Sequence, residues 1–100
     1  MELVQFTDLE AEKDEKLAVM MKALSHPVRL QIVQQLSEGS DANCCVDFTR
    51  HASLAQSTIS QHLRVLKDAG LIKLCGDGPR SGWCIERSAM VWLKQQVVAL

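Results

Sequence analysis

The sequence predicts one mainly α-helical domain that carries a single small β-hairpin. Apolar residues recur at helical spacing in several separate stretches, which is the main signal for amphipathic helices. Near the end of the chain, a turn-rich segment, Gly76 to Ser81, separates two short apolar runs, as in a hairpin. With 47% hydrophobic and 23% charged residues, the 100-residue chain has the composition of a folded protein with one core. We therefore expect residues 1–100 to form a single domain.

Proline and glycine delimit the first two helices. Leucines and methionines at helical spacing predict a helix from Asp8 to about Leu24, with acids in its first turns, where the helix dipole favours them. Pro27 ends this pattern and suits the first turn of a new helix. The second helix is expected to end at Gly39, directly after Glu38.

The stretch from Leu54 to Leu71 has two unlike faces. At helical spacing, its apolar side carries Ile59, Leu63 and Leu66 and, one step further, Ala69 and Gly70. Its other side carries short amides and hydroxyls where a solvated helix more often has Glu and Lys: Gln56, Ser57, Ser60, Gln61 and Arg64. Such groups can pair with base edges in a DNA major groove. The alternative is a set of ordinary solvated polar residues.

The segment between the second helix and this polar-faced helix contains two predicted elements. Cys44–Val46 is expected to be a short strand or the entry to a third helix, which would run from Asp47 to Ala52. Asp47 is a residue typical of helix starts. Ala55 occupies the expected N-cap of the polar-faced helix, where Ser would stabilise it by about 1 kcal/mol more.

Two strands and a final helix complete the chain. Leu71–Cys75 and Gly82–Arg87 are the predicted strands of the hairpin. Ser88–Leu100 is the predicted last helix, with Ser88 as its N-cap. This helix is too apolar to stand alone, so we expect a partner to cover it.

The order of these elements, α-α-(short β)-α-α-β-β-α, is that of a winged helix-turn-helix domain. Three segments carry a closer resemblance: ALSHPVRLQIV at 23–33, AQSTISQHLRVLKDAGLI at 55–72 and GPR at 78–80. Together they resemble the ArsR/SmtB family of bacterial homodimeric repressors, which release operator DNA on sensing metal ions, metalloids or reactive sulfur. The resemblance implies a cytoplasmic, dimeric repressor that is not an enzyme and has no obligatory cofactor.

The resemblance also implies the DNA-binding residues. Carried onto this sequence, the groove-facing residues are Gln56, Ser57, Thr58, Ser60, Gln61 and Arg64, and Arg80 on the wing lies at backbone phosphate. An arginine at phosphate positions the protein without reading sequence. The first and last helices would form the dimer interface. The two-fold dimer would bind an inverted-repeat, double-stranded operator with half-sites about one helical turn apart.

Four cysteines are the candidate sensing residues. Arsenic repressors of this family have Cys-Val-Cys-Asp-Leu where this chain has Cys44-Cys45-Val46-Asp47-Phe48. Adjacent residues point apart, so Cys44 and Cys45 need a distant thiol to share one ion. Cys84 and Cys75, on the two wing strands, are the available thiols. A cluster of Cys44 or Cys45 with Cys84 and Cys75 would suit As(III) or another thiophilic ion.

Three alternatives to metalloid sensing stay open. A pair of these cysteines would also serve a thiol-redox or persulfide sensor of the same fold. The cysteines would be inert in a regulator with no small-molecule inducer, since free cysteine often fills small buried gaps. A winged helix can also serve protein interaction alone.

Charge and absent motifs limit the remaining functions. The net charge is −1, but the first 20 residues hold two lysines against six acids, and the rest hold nine basic residues against six acids, which permits contact with phosphate. Ser88–Leu100 has no His, Asp, Glu or Cys, which argues against zinc between C-terminal helices. No apolar stretch is long enough for a membrane span. We interpret His26, His51 and His62 as packing residues.

Overall fold

The computed structural model describes residues 8–38, 56–76 and 82–100. In chain order, their elements are α1 (Asp8–Leu24), α2 (Pro27–Glu38), α3 (Gln56–Asp68), β1 (Ile72–Cys75), β2 (Gly82–Ile85) and α4 (Arg87–Val98). The bounds predicted for the first two helices are confirmed. The expected short strand at Cys44–Val46, the third helix at 47–52 and the N-cap at Ala55 lie outside the described residues.

Side-chain and backbone hydrogen bonds close the corner between α1 and α2. Ser25 donates to the carbonyl of Lys22 from its backbone N–H, at 3.1 Å, and from its hydroxyl, at 2.7 Å. At the start of α2, Nδ1 of His26 accepts a hydrogen bond from the backbone N–H of Val28 at 3.1 Å. His26 therefore caps α2, with Pro27 in the first helical position, where no N–H needs a partner.

One core lies where the helices meet the hairpin. Met20, Leu66 and Leu71 are the largest fully buried side chains among the described residues. The buried hydrophobic residues also include Leu17, Ala23, Ile32, Val33, Leu36, Ile59, Leu63, Ile72, Ile85 and Leu93. The apolar face predicted for α3 is thus confirmed at Ile59, Leu63 and Leu66. This burial fixes the side of α3 that remains accessible.

A glycine ends α3. Gly70 has φ of +81°, its N–H donates to the Lys67 carbonyl at 2.9 Å, and the Leu71 N–H donates to the Leu66 carbonyl at 3.1 Å. These two bonds form a Schellman motif. Leu66 and Leu71, the residues at the two ends of its longer bond, are both fully buried. The helical spacing extended by sequence to Ala69 and Gly70 was therefore wrong at its end, because the left-handed glycine reverses the chain after Asp68.

The two wing strands pair antiparallel. Ile72 lies opposite Ile85, and Cys75 lies opposite Gly82. Both strands are shorter than predicted, since β1 begins at Ile72 rather than Leu71 and β2 ends at Ile85 rather than Arg87. Leu71 accepts a hydrogen bond from the N–H of Glu86 at 2.8 Å, outside the regular strands. Most of the predicted turn, 77–81, lies outside the described residues.

Glu86, rather than Ser88, occupies the N-cap of α4, so the predicted cap was wrong. Glu86 has extended backbone angles, φ −86° and ψ 95°, and its carbonyl accepts the Met90 N–H at 3.1 Å. Its carboxylate accepts the Ser88 hydroxyl at 3.4 Å and lies 3.6 Å from Nζ of Lys73. The polar side chain of Ser88 thus binds the capping residue rather than the helix end. None of the helices in the described ranges is long and apolar enough to cross a bilayer.

Candidate nucleic-acid interface

The accessible side of α3 is polar. Its exposed residues Ser57, Ser60, Gln61 and Arg64, which we call the polar face, lie away from the three buried residues of the same helix. Thr58, also predicted to face the groove, is half-buried. The side chain of Gln56 and the whole of Arg80 lie outside the described residues.

The polar face offers hydrogen bonds in both directions. The Gln61 amide presents a carbonyl and two N–H donors, the two serines present hydroxyls, and Arg64 presents a fork of donors. These groups match base edges in a major groove, where Gln pairs with adenine and Arg with guanine. Because the face rests on a helix buried along its other side, its residues keep fixed spacing.

Arg29, a residue of α2, links α3 to α1. Its Nε donates to the Ala23 carbonyl near the end of α1 at 2.6 Å, and its Nη1 lies 3.3 Å from Nδ1 of His62 on α3. The ring of His62 is 4.4 Å from that of His26, measured between centroids. One guanidinium and two imidazoles thus form a cluster at the junction of α1, α2 and α3, which we call the Arg–His cluster.

Burial and neighbouring basic groups lower the pKa of His62. Desolvation is the largest cause, followed by the charges of His26 and Arg29, both of which disfavour a protonated ring. The sequence interpretation of His26 and His62 as packing residues missed this cluster, and Arg29 was not singled out. The helical phase of His62, beside Leu63 on the inner side of α3, was the available signal.

The wing brings two of the four candidate cysteines together. Cys75 and Cys84 form a disulfide, with their Cα atoms 6.2 Å apart. Cys75 pairs with Gly82 and Cys84 pairs with Lys73, so the two cysteines are diagonal neighbours on one face of the hairpin. Cys44 and Cys45 lie outside the described residues. Within the described ranges, no group of three or more His, Cys, Asp or Glu side chains is placed to hold a metal ion.

Comparison with known proteins finds relatives that are transcriptional regulators, in agreement with the polar, DNA-compatible face of α3. The family model described as "Bacterial regulatory protein, arsR family" matches residues 26–73, which include α2 and α3. The chain is 36% identical over 88 residues to the HTH-type transcriptional regulator YgaV of Escherichia coli, covering 88% of this chain and 87% of that protein. The chain belongs to the arsR family. It is therefore a winged-helix transcriptional regulator and not an enzyme.

Two further relatives of this arsR-family chain extend the comparison. The arsenical resistance operon repressor of Staphylococcus xylosus is 28% identical over 82 residues, covering 82% of this chain and 77% of the repressor. A homodimeric winged helix-turn-helix DNA-binding domain from Mycobacterium bovis superposes with a TM-score of 0.65 at 28% identity, covering 97% of this chain and 90% of that one. The likeness thus spans nearly the whole fold.

Proposed function

We propose that this arsR-family chain is a dimeric, DNA-binding repressor of transcription that places α3 of each subunit in the major groove. The observation that carries the proposal is the exposed polar face of α3, opposite a buried apolar face. Gln61 and Arg64 are the proposed base readers, and Ser57 and Ser60 supply adaptable hydroxyls. Thr58, Gln56 and the wing residue Arg80 complete the proposed contact set.

Binding to DNA is tested by fluorescence anisotropy of a labelled duplex, selected from a random-sequence pool, at two salt concentrations. We expect affinity to fall steeply with salt, because binding releases counterions from phosphate. An inverted repeat with half-sites about one helical turn apart is the expected selected sequence. If binding is absent, or equal at both salt concentrations, the DNA-binding proposal is wrong. The chain would then serve only protein interaction.

Exposed apolar side chains on the terminal helices support the dimer. Val91 is 55% exposed and Val98 is 85% exposed, and they lie two turns apart on one side of α4. Val19 on α1 is also exposed. Lys16 of α1 stacks over the Trp92 ring of α4 at 4.2 Å, which joins the two helices into one surface. The homodimeric M. bovis domain supports a second copy of this chain as the occupant.

The double variant Val91→Glu/Val98→Glu is expected to be a monomer. A carboxylate buried without a partner costs several kcal/mol, so the dissociation constant of the dimer should rise by about 100-fold or more. Sedimentation velocity measures this change. Leu74→Glu is the matched control, because Leu74 is 57% exposed and belongs to β1 rather than to either terminal helix. Equal association states for both variants would contradict the proposed interface.

For the inducer, we propose ligation of a thiophilic ion such as As(III) by Cys44 or Cys45 together with Cys84. The name of the S. xylosus relative, a repressor of an arsenical resistance operon, supports a metalloid. Such ligation requires the Cys75–Cys84 disulfide to be reduced to thiols, which a reducing cytoplasm would provide. Because Cys84 lies on the wing beside the DNA-reading helix, ligation would bias the dimer against its DNA-bound arrangement.

A redox sensor is the second candidate, and the Cys75–Cys84 disulfide favours it. In this reaction the two thiols lose two electrons and two protons as the S–S bond forms. A low-molecular-weight disulfide accepts them and is reduced to two thiols, or a persulfide accepts them and is reduced to one thiol and hydrogen sulfide. A third candidate is a regulator without any small-molecule inducer, in which the cysteines only fill space.

Three serine variants separate the two thiol mechanisms. Under ligation, we expect arsenite to raise the Kd for DNA about tenfold in wild type and in Cys75→Ser, but not in Cys84→Ser. Under redox control, an oxidised low-molecular-weight disulfide changes the affinity in wild type and in Cys45→Ser, but in neither wing variant. Anisotropy of the DNA-bound protein measures both responses. If neither agent changes the affinity of wild type, the regulator has no thiol inducer.

A further inference from the structure

We propose that Arg29 and His62 are positioning residues for the DNA-reading helix, and that their contact exists only while His62 is neutral. This inference rests on the proposed function, because it concerns how α3 is held for DNA. The contact is the 3.3 Å approach of Nη1 of Arg29 to Nδ1 of His62. Loss of this contact on protonation of His62 would weaken DNA binding as the pH falls.

The hydrogen-bond chemistry fixes the protonation state of His62. A guanidinium has donors only, so Nδ1 of His62 must accept, and the single ring proton must lie on Nε2. A second proton would go to Nδ1 and would place one N–H against another. The contact therefore ends when the ring is protonated, and α3 loses its link through Arg29 to the Ala23 carbonyl.

The second histidine of the Arg–His cluster has the same requirement. Nδ1 of His26 accepts the N–H of Val28, which caps α2, so a proton there would remove the cap. The two rings are 4.4 Å apart, and a positive charge on one opposes a charge on the other. In the described residues, the groups whose charges act on His62 are His26 and Arg29, and neither is acidic.

The sign of the pH effect follows from this arrangement. The pKa of His62 is lowered in the folded protein, so the unfolded chain binds the proton more readily. The stabilisation is complete above the ordinary histidine pKa and is lost as the pH falls towards the lowered one. Protonation generally strengthens binding to phosphate, because it adds positive charge. Weaker binding in acid would therefore have the opposite sign to the nonspecific trend.

The test measures the Kd for the selected duplex by anisotropy at about pH 7.5 and about pH 5, the lower end of the range in which histidines change charge. The lower pH is chosen because the pKa of His62 lies below the ordinary value. We expect wild type to bind about fivefold more weakly at the lower pH, at the small end of coupling between linked sites. The comparison is His62→Asn, whose side-chain oxygen can accept from Arg29 and does not titrate. For His62→Asn, the Kd at the lower pH divided by the Kd at about pH 7.5 should be close to one, or below one.

The protonation state of His62 can also be measured in the wild-type protein, so this test does not depend on a variant that folds. Nitrogen NMR of the imidazoles should show Nδ1 of His62 unprotonated at about pH 7.5 and a titration below that of an ordinary histidine. Protonation at Nδ1, or equal Kd ratios for wild type and His62→Asn, would overturn the positioning role. Absence of DNA binding by wild type at about pH 7.5 would instead overturn the proposed function.

Discussion

Alanine at both Gln61 and Arg64 is expected to reduce the affinity for operator DNA by about 100-fold, since each good pair to a base edge contributes about 1–3 kcal/mol. Both side chains are exposed on the polar face of α3, so their removal should leave the free energy of unfolding nearly unchanged. The measurement is the anisotropy Kd of the selected duplex, together with thermal unfolding of each variant.

The matched control for this variant is Gln34→Ala. Gln34 is an exposed glutamine in α2, outside the polar face, and its loss should change the affinity by less than about twofold. Gln61→Ala alone should leave the salt dependence of binding unchanged, because an amide displaces no counterion. Wild-type affinity in the double variant, with the fold intact, would mean that another surface reads the DNA.

Leu66→Ala is expected to have the largest effect on stability. Leu66 is 0% exposed and lies in the same buried core as Leu71, which follows the glycine that ends α3. Truncating a buried leucine costs about 2–5 kcal/mol. For a domain of this size, that loss lowers the Tm by about 10–30 °C at a fixed protein concentration. Circular dichroism during heating measures the shift.

The neighbouring residue gives a control on the same helix. Val65 is 40% exposed, and Val65→Ala should cost less than about 1 kcal/mol. The two variants differ in burial and share their position near the end of α3, so helix propensity alone predicts similar effects for both. If Val65→Ala lowered the Tm as much as Leu66→Ala, the packing face assigned to α3 would be wrong.

Local sequence signals were sufficient for the first half of the described fold. Pro27 separates the first two helices through its own backbone preference, and α1 and α2 have the bounds that were predicted. The amphipathic pattern of α3 likewise identified its buried side at Ile59, Leu63 and Leu66, because burial follows the 3.6-residue period. The DNA-binding and sensing roles of individual residues remain predictions.

The sequence predictions were wrong at positions where one secondary-structure element meets the next, as at the start of α4. Ser88 is a favourable cap by residue type, yet the chain leaves β2 at Ile85, and Glu86 already holds the extended conformation that an N-cap requires. The pairing of the Glu86 N–H with the Leu71 carbonyl fixes this position, and it depends on the register of the hairpin. Residue preference carries no information about such a distant partner.

By itself, the sequence determined the family, the winged-helix order and the polar face of α3. The family follows from local sequence motifs, and the order of elements and the polar face follow from the spacing of apolar residues. The tertiary structure alone decided which distant side chains meet. Arg29 and His62 are far apart in the chain but 3.3 Å apart in space, and the diagonal register of the wing brings Cys75 to Cys84. Helix packing and strand register set these distances, and the pKa of His62 changes only through that proximity and burial.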